Sequence, residues 1–69
     1  MNPGQIVRKL RQEQNMTLAC LANLLNLDPG NLSRIERNEL KISFNLLEKL
    51  SLAFNVSPLV FFDKVSPQN

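Results

Sequence analysis

The residues best equipped for chemistry sit in one short segment, Asp28-Pro29-Gly30-Asn31-Leu32-Ser33-Arg34-Ile35-Glu36-Arg37. Aspartate accepts hydrogen bonds from the free N–H groups at a helix start. Proline suits the first helical position because its missing N–H would be unpaired there anyway. Asp28-Pro29 therefore opens a helix on which Leu32 and Ile35 form one narrow apolar stripe, while Gly30, Asn31, Ser33 and Arg34 are small or polar. A helix apolar along one edge and polar along the other, with little bulk at its start, can be pressed against a flat polar surface such as a DNA major groove. Catalytic chemistry is missing. The chain has no histidine, tyrosine or tryptophan and a single cysteine, Cys20, without an imidazole to activate it. No cluster of Cys, His or carboxylates has metal-ligand spacing, and Gly4 and Gly30 make no phosphate-cradling loop. These absences predict no enzyme, no metal and no cofactor. Cys20 reads as core filling, with a redox role as the lesser alternative.

The elements that must position this segment are helical, since no β-type alternation persists. A first helix is expected from about Pro3 to Gln14, with Ile6, Val7 and Leu10 inward and Asn15 ending it. Thr17 caps a second helix, Leu18 to Leu25, whose apolar face is Leu18, Leu21, Ala22 and Leu25. After the turn Asn26-Leu27, with Leu27 plugging the corner, the third helix runs from about Pro29 to Arg37, and Asn38 is a left-handed stop. Ser43 caps a fourth helix, Phe44 to Phe54, facing inward with Leu46, Leu47, Leu50, Ala53 and Phe54. Ser57-Pro58 repeats the cap-plus-proline device for a short fifth helix. The expectation is one all-α domain over residues 1–65 and a flexible tail, 66–69.

Composition narrows the class further. A chain of 69 residues buries only about 60% of its unfolded surface, so oligomerisation is an expected supplement to a thin core. Net charge is +2 with pI near 9.1, compatible with a polyanion partner without demanding one. The polar start carries no apolar leader, the longest apolar run, Leu59 to Phe62, is too short to span a bilayer, and the lone cysteine fits a reducing cytosol. A cytoplasmic location follows as an expectation, with no membrane and no small-molecule substrate.

Several linked features resemble the lambda-repressor/Cro-like family, also called Xre-type regulators. They are Gly4-x-x-Val7-Arg8-x-Leu10-Arg11, Met16-Thr17, Leu21-Ala22, Ser33-Arg34-Ile35-Glu36 and Asn55-Val56-Ser57, spread over about Gly4 to Phe62. The resemblance implies a compact five-helix domain with helices two and three as a helix-turn-helix. It also implies a homodimer that places helix three in successive major grooves of a palindromic operator. The DNA-facing set so implied is Thr17, Asp28, Pro29, Gly30, Asn31, Ser33, Arg34, Arg37, Asn38 and Lys41. Arg34 occupies a base-reading position, and a guanidinium can hold guanine O6 and N7 together; a solvated surface arginine is the alternative. Asn31 would meet a base edge or a phosphate, and Arg37 and Lys41 phosphates, with Glu39 diluting the local field. Asn38 serves equally as a cap, and Arg8 and Lys9 equally as solvated charges. Arg11 and Glu36 become a partly buried bridge between helices one and three rather than two independent surface charges. The sequence departs from the commoner pattern at Pro29-Gly30, where base-reading side chains are missing, at Leu18 in place of a phosphate-binding glutamine, and at Asn38 in place of glycine. Specificity then falls to fewer contacts, to thymine methyls touching bare backbone, or to DNA shape.

The far end offers a second clue. Leu59 with Phe62 is expected to pack on helix four, which turns Val60 and Phe61 outward. Together with Val65 these form an expected dimer interface, with a locally closed hydrophobic end as the alternative. The reading is a DNA-binding transcriptional regulator, a repressor acting as a homodimer. The alternatives are an antitoxin or restriction–modification controller of the same fold, or a protein-interaction module that has lost DNA binding.

Overall fold

Every helix begins on a side-chain oxygen that accepts from the free N–H groups of its first turn. In the computed structural model, which describes residues 1–62, Asn2 caps α1 (Pro3–Glu13), and the Gln5 side chain returns a bond to the Asn2 N–H. Thr17 caps α2 (Leu18–Leu25), Asp28 caps α3 (Pro29–Glu36) and Ser43 caps α4 (Phe44–Phe54). Ser57 caps a single 3-10 turn, Pro58–Phe61. Such caps are each worth about 1 kcal/mol.

The helix ends repeat a second device. Asn15, Asn26, Asn38 and Asn55 all hold positive φ, between 57° and 63°, a conformation asparagine tolerates better than other residues with a side chain. Beyond each, the next N–H reaches back five residues: Met16 to Arg11 O, Leu27 to Ala22 O, Glu39 to Arg34 O and Val56 to Ser51 O, at 2.8–3.0 Å. This is the Schellman arrangement, which satisfies the carbonyls orphaned at a helix end. Met16, Leu27 and Val56 then fold onto the core. Glu39 does not; it is exposed.

The core is built from Val7, Leu21, Leu25, Leu32, Leu50, Phe54 and Phe61, with Ile6, Ala22 and Leu47 around them. α3 lies against both α1 and α2, and α2 against α4. Gly4 makes the first of these approaches possible. A Cβ there would stand 2.2 Å from the Ile35 carbonyl oxygen and 2.9 Å from that of Glu36, so only glycine lets α1 start against the end of α3. Gln14 Nε2 donates to Phe54 O at 3.0 Å and Lys49 Nζ to Leu25 O at 3.4 Å, tying α4 to α1 and α2.

Two expectations are corrected. The fifth element is one 3-10 turn, and it presents the other edge: Phe61 is 1% exposed, whereas Leu59 is 67% and Phe62 45% exposed. Ser57 and Pro58 fix where the turn starts, and with three residues per turn only one edge can meet α1 and α4. That edge carries Phe61, so Phe61 is core and not an interface residue. Cys20 is exposed on α2, its N–H held by the Thr17 hydroxyl, and fills no core space. Val65 and the expected tail lie outside the described residues.

Candidate nucleic-acid interface

α3 turns Leu32, Ile35 and Glu36 inward and leaves Asp28, Pro29, Gly30, Asn31, Arg34, Arg37 and Asn38 exposed, with Ser33 half-buried. The third-helix residues expected to face outward therefore form one continuous edge that no other described element covers. Its tip is tightly organised. Asp28 Oδ2 accepts from the Gly30 N–H at 2.9 Å and from Asn31 N–H at 3.3 Å. A Cβ on residue 30 would come within 2.8 Å of that same oxygen, so the glycine absent from the commoner pattern makes room for the cap.

The orientation of this edge is set from behind. Arg11 Nε donates to Glu36 Oε2 at 2.7 Å, Nη2 to Oε1 at 3.2 Å, and Nη1 to the Met16 carbonyl at 2.9 Å. Only 13% of the Arg11 side chain and 6% of the Glu36 side chain are exposed. One guanidinium thus joins α1, the Met16 turn and α3.

Toward its C-terminal end the edge is cationic but not bare. Arg37 donates to Glu39 through Nε at 3.0 Å and Nη2 at 3.2 Å, and through Nη1 to the Ser33 hydroxyl. The hydrogen bond from Arg37 holds the Glu39 carboxyl below its ordinary range, and the same bond with its charge raises the Arg37 guanidinium. Arg34 places Nε 3.9 Å from Glu39 Oε1. Ser33, Glu36 and Arg37 also share a groove of about 290 Å³ with Arg8, Arg11 and Leu18, which brings Arg8 of α1 beside the α3 cations. Thr17 and Lys41 are exposed on the α2 start and on the loop after α3. Sequence reasoning set Glu39 against the local cationic field but missed the hydrogen bonds that engage Arg37; the four-residue spacing from Ser33 was an available signal, whereas Glu39 reaches Arg37 only because the chain turns at the left-handed Asn38. It also missed the reason for Gly4, whose signal was a poor helix former retained inside a first turn.

Among the described residues no group of His, Cys, Asp or Glu has the arrangement of a metal site, and no helix is long and apolar enough to cross a membrane.

Residues 7–61 match a protein-family model described as helix-turn-helix. Solved structures agree. The chain is similar to the restriction-modification controller protein C.AhdI from Aeromonas hydrophila, at 30% identity and TM-score 0.81 over 87% of this chain and 91% of that one. It is similar to SinR, the master regulator for biofilm formation, in complex with DNA, at 34% identity and TM-score 0.81 over 88% and 98%. It is also similar to the clp gene regulator ClgR from Corynebacterium glutamicum, at 30% identity and TM-score 0.82 over 87% of this chain but 64% of that one. Comparison with curated protein sequences finds no match.

Proposed function

The chain belongs to the helix-turn-helix family of Xre, Cro and lambda-repressor-like DNA-binding transcription regulators, and from that premise we propose that it is a cytoplasmic repressor which binds a palindromic operator as a homodimer. The observation that carries the reading is the uncovered polar edge of α3, held at a fixed angle by the Arg11–Glu36 bridge. On this reading the Asp28–Asn31 turn enters the major groove with backbone and small side chains. Arg34 reads a base edge, and Thr17, Ser33, Asn38 and Lys41 meet the phosphate backbone. The missing bulk at Pro29-Gly30 leaves part of the discrimination to thymine methyls and groove shape.

On this reading the dimer surface lies along α4 and the 3-10 turn. Leu52 is 83% exposed and lines, with Val56 and Pro58, a groove of about 840 Å³ along α4. Leu59, Val60 and Phe62 add exposed apolar area on the 3-10 turn and the residue after it. So much apolar surface on a small domain supports burial against a second copy. Glu48 and Lys49 line the same groove, so a two-fold contact can set each against its opposite charge.

Selection of bound duplexes from a random pool tests the function. The expected output is a pair of inverted half-sites about 34 Å, one DNA turn, apart; a pool with no enriched sequence overturns the reading. The restriction–modification controller is the second reading, supported by the likeness to C.AhdI along almost the whole of both chains.

A further inference from the structure

We propose that Glu39 is a specificity-determining residue: its carboxylate withdraws Arg37 from sequence-independent phosphate binding and stands behind Arg34, leaving the outer amino groups of Arg34 for a base edge. The inference rests on the DNA-binding reading above.

Three observations carry it. First, Glu39 occupies the position after a left-handed asparagine where the other three helix ends place Met16, Leu27 and Val56 against the core. An apolar contact is the usual companion of that turn, and here it is replaced by an exposed carboxylate. The backbone bond from Glu39 N to Arg34 O, 2.8 Å, keeps that carboxylate beside the end of α3. Second, every guanidinium nitrogen of Arg37 is engaged, two by Glu39 and one by Ser33. Glu39 already neutralises Arg37, so a phosphate approaching it either meets the carboxylate's repulsion or takes its place, and exchanging one anion for another releases no net counterion. Third, Glu39 faces Arg34 on its Nε side, at 3.9 Å, and among the described residues Nη1 and Nη2 of Arg34 make no hydrogen bond. Those are the donors that pair with guanine O6 and N7. An exposed pair of this kind adds little to folding, so its effect falls on what the two arginines can bind.

Fluorescence anisotropy with two duplexes, the selected operator and a random sequence, tests this across about 50–200 mM salt. The expected result for Glu39→Gln is a log–log salt slope steeper by about 0.9, the value of one added phosphate contact, so that random-duplex affinity falls about 3.5-fold further between about 50 and 200 mM salt than it does in the unaltered protein. The new phosphate contact strengthens both duplexes alike, so it leaves the operator-to-random ratio unchanged; the ratio falls because Arg34 loses its backing. In Glu39→Gln/Arg37→Gln the slope returns to that of the unaltered protein. An unchanged slope, or a ratio that does not fall, overturns the proposal. So does weaker binding to both duplexes with a lowered melting temperature, which would make Glu39 purely structural. If the unaltered protein prefers no duplex at all, it is the DNA-binding reading that fails.

Discussion

Arg11 and Glu36 meet fork to fork, Nε to Oε2 at 2.7 Å and Nη2 to Oε1 at 3.2 Å, and the third guanidinium nitrogen is spent on the Met16 carbonyl. The pair is almost dry, and it fixes how far α3 stands from α1. Truncating one partner strands the other charge in the interior. Glu36→Ala or Arg11→Ala is expected to lower unfolding free energy by about 3–5 kcal/mol, measured by urea denaturation. In the cycle closed by Arg11→Ala/Glu36→Ala the double replacement should lose less than the sum of the singles; a double loss equal to that sum would mean the two side chains do not act as a pair.

Gly4 is expected to tolerate no side chain. In Gly4→Ala the new methyl meets two backbone carbonyls of α3, which cannot swing away as a side chain can. The helices must part, with a loss of about 1–3 kcal/mol and weaker operator binding as α3 tilts. An unchanged melting temperature would show that the α1 start yields freely.

Arg34→Ala should flatten base preference at one position of each half-site by about 1–3 kcal/mol, with a smaller change in salt slope than a phosphate-contact variant produces. Binding to a panel of operator variants reads this directly. An unaltered preference across the panel removes Arg34 from base reading.

Phe61 and Leu52 separate folding from assembly. Phe61→Ala empties a fully buried site and is expected to destabilise the fold by about 3–5 kcal/mol. Leu52→Asp changes a side chain that is already in solvent, so the domain should keep its fold while sedimenting as a monomer. A dimer unaffected by Leu52→Asp would exclude the α4 surface.

The Glu39 carboxyl is held down chiefly by its hydrogen bond from Arg37; loss of solvation opposes this, and the charges of Arg37 and Arg34 add to the lowering. A depressed carboxylate contributes its stabilisation above the ordinary 4.5 and loses it as pH falls through the lowered value. An NMR titration of the Glu39 side chain should therefore show a midpoint below 4.5 that rises toward it in Arg37→Gln. A midpoint that ignores the Arg37 replacement would dissolve the pair.

The helix limits were legible because they are local. An oxygen-bearing cap, a proline at the first position and an asparagine at the stop act within one turn of the chain, and Leu18–Leu25 and Phe44–Phe54 fall where those signals put them. The uncovered edge of α3 was legible for the same reason, since Leu32 and Ile35 leave only one side to bury. What the tertiary structure alone decided involves distance along the chain or rotation about an axis. A one-turn element has too few residues to reveal which edge faces inward, so Phe61 could not be told from Leu59 until α1 and α4 closed over it. Cys20 was misjudged because an apolar helix does not announce which side is left to solvent. The Gly4 approach and the seating of Arg11 on Glu36 join segments far apart in sequence, and the charge left on Arg37 depends on where Glu39 lands once the α3 turn has closed. Local physical chemistry determines which surface is offered; packing determines how it is held and how much of its charge is free.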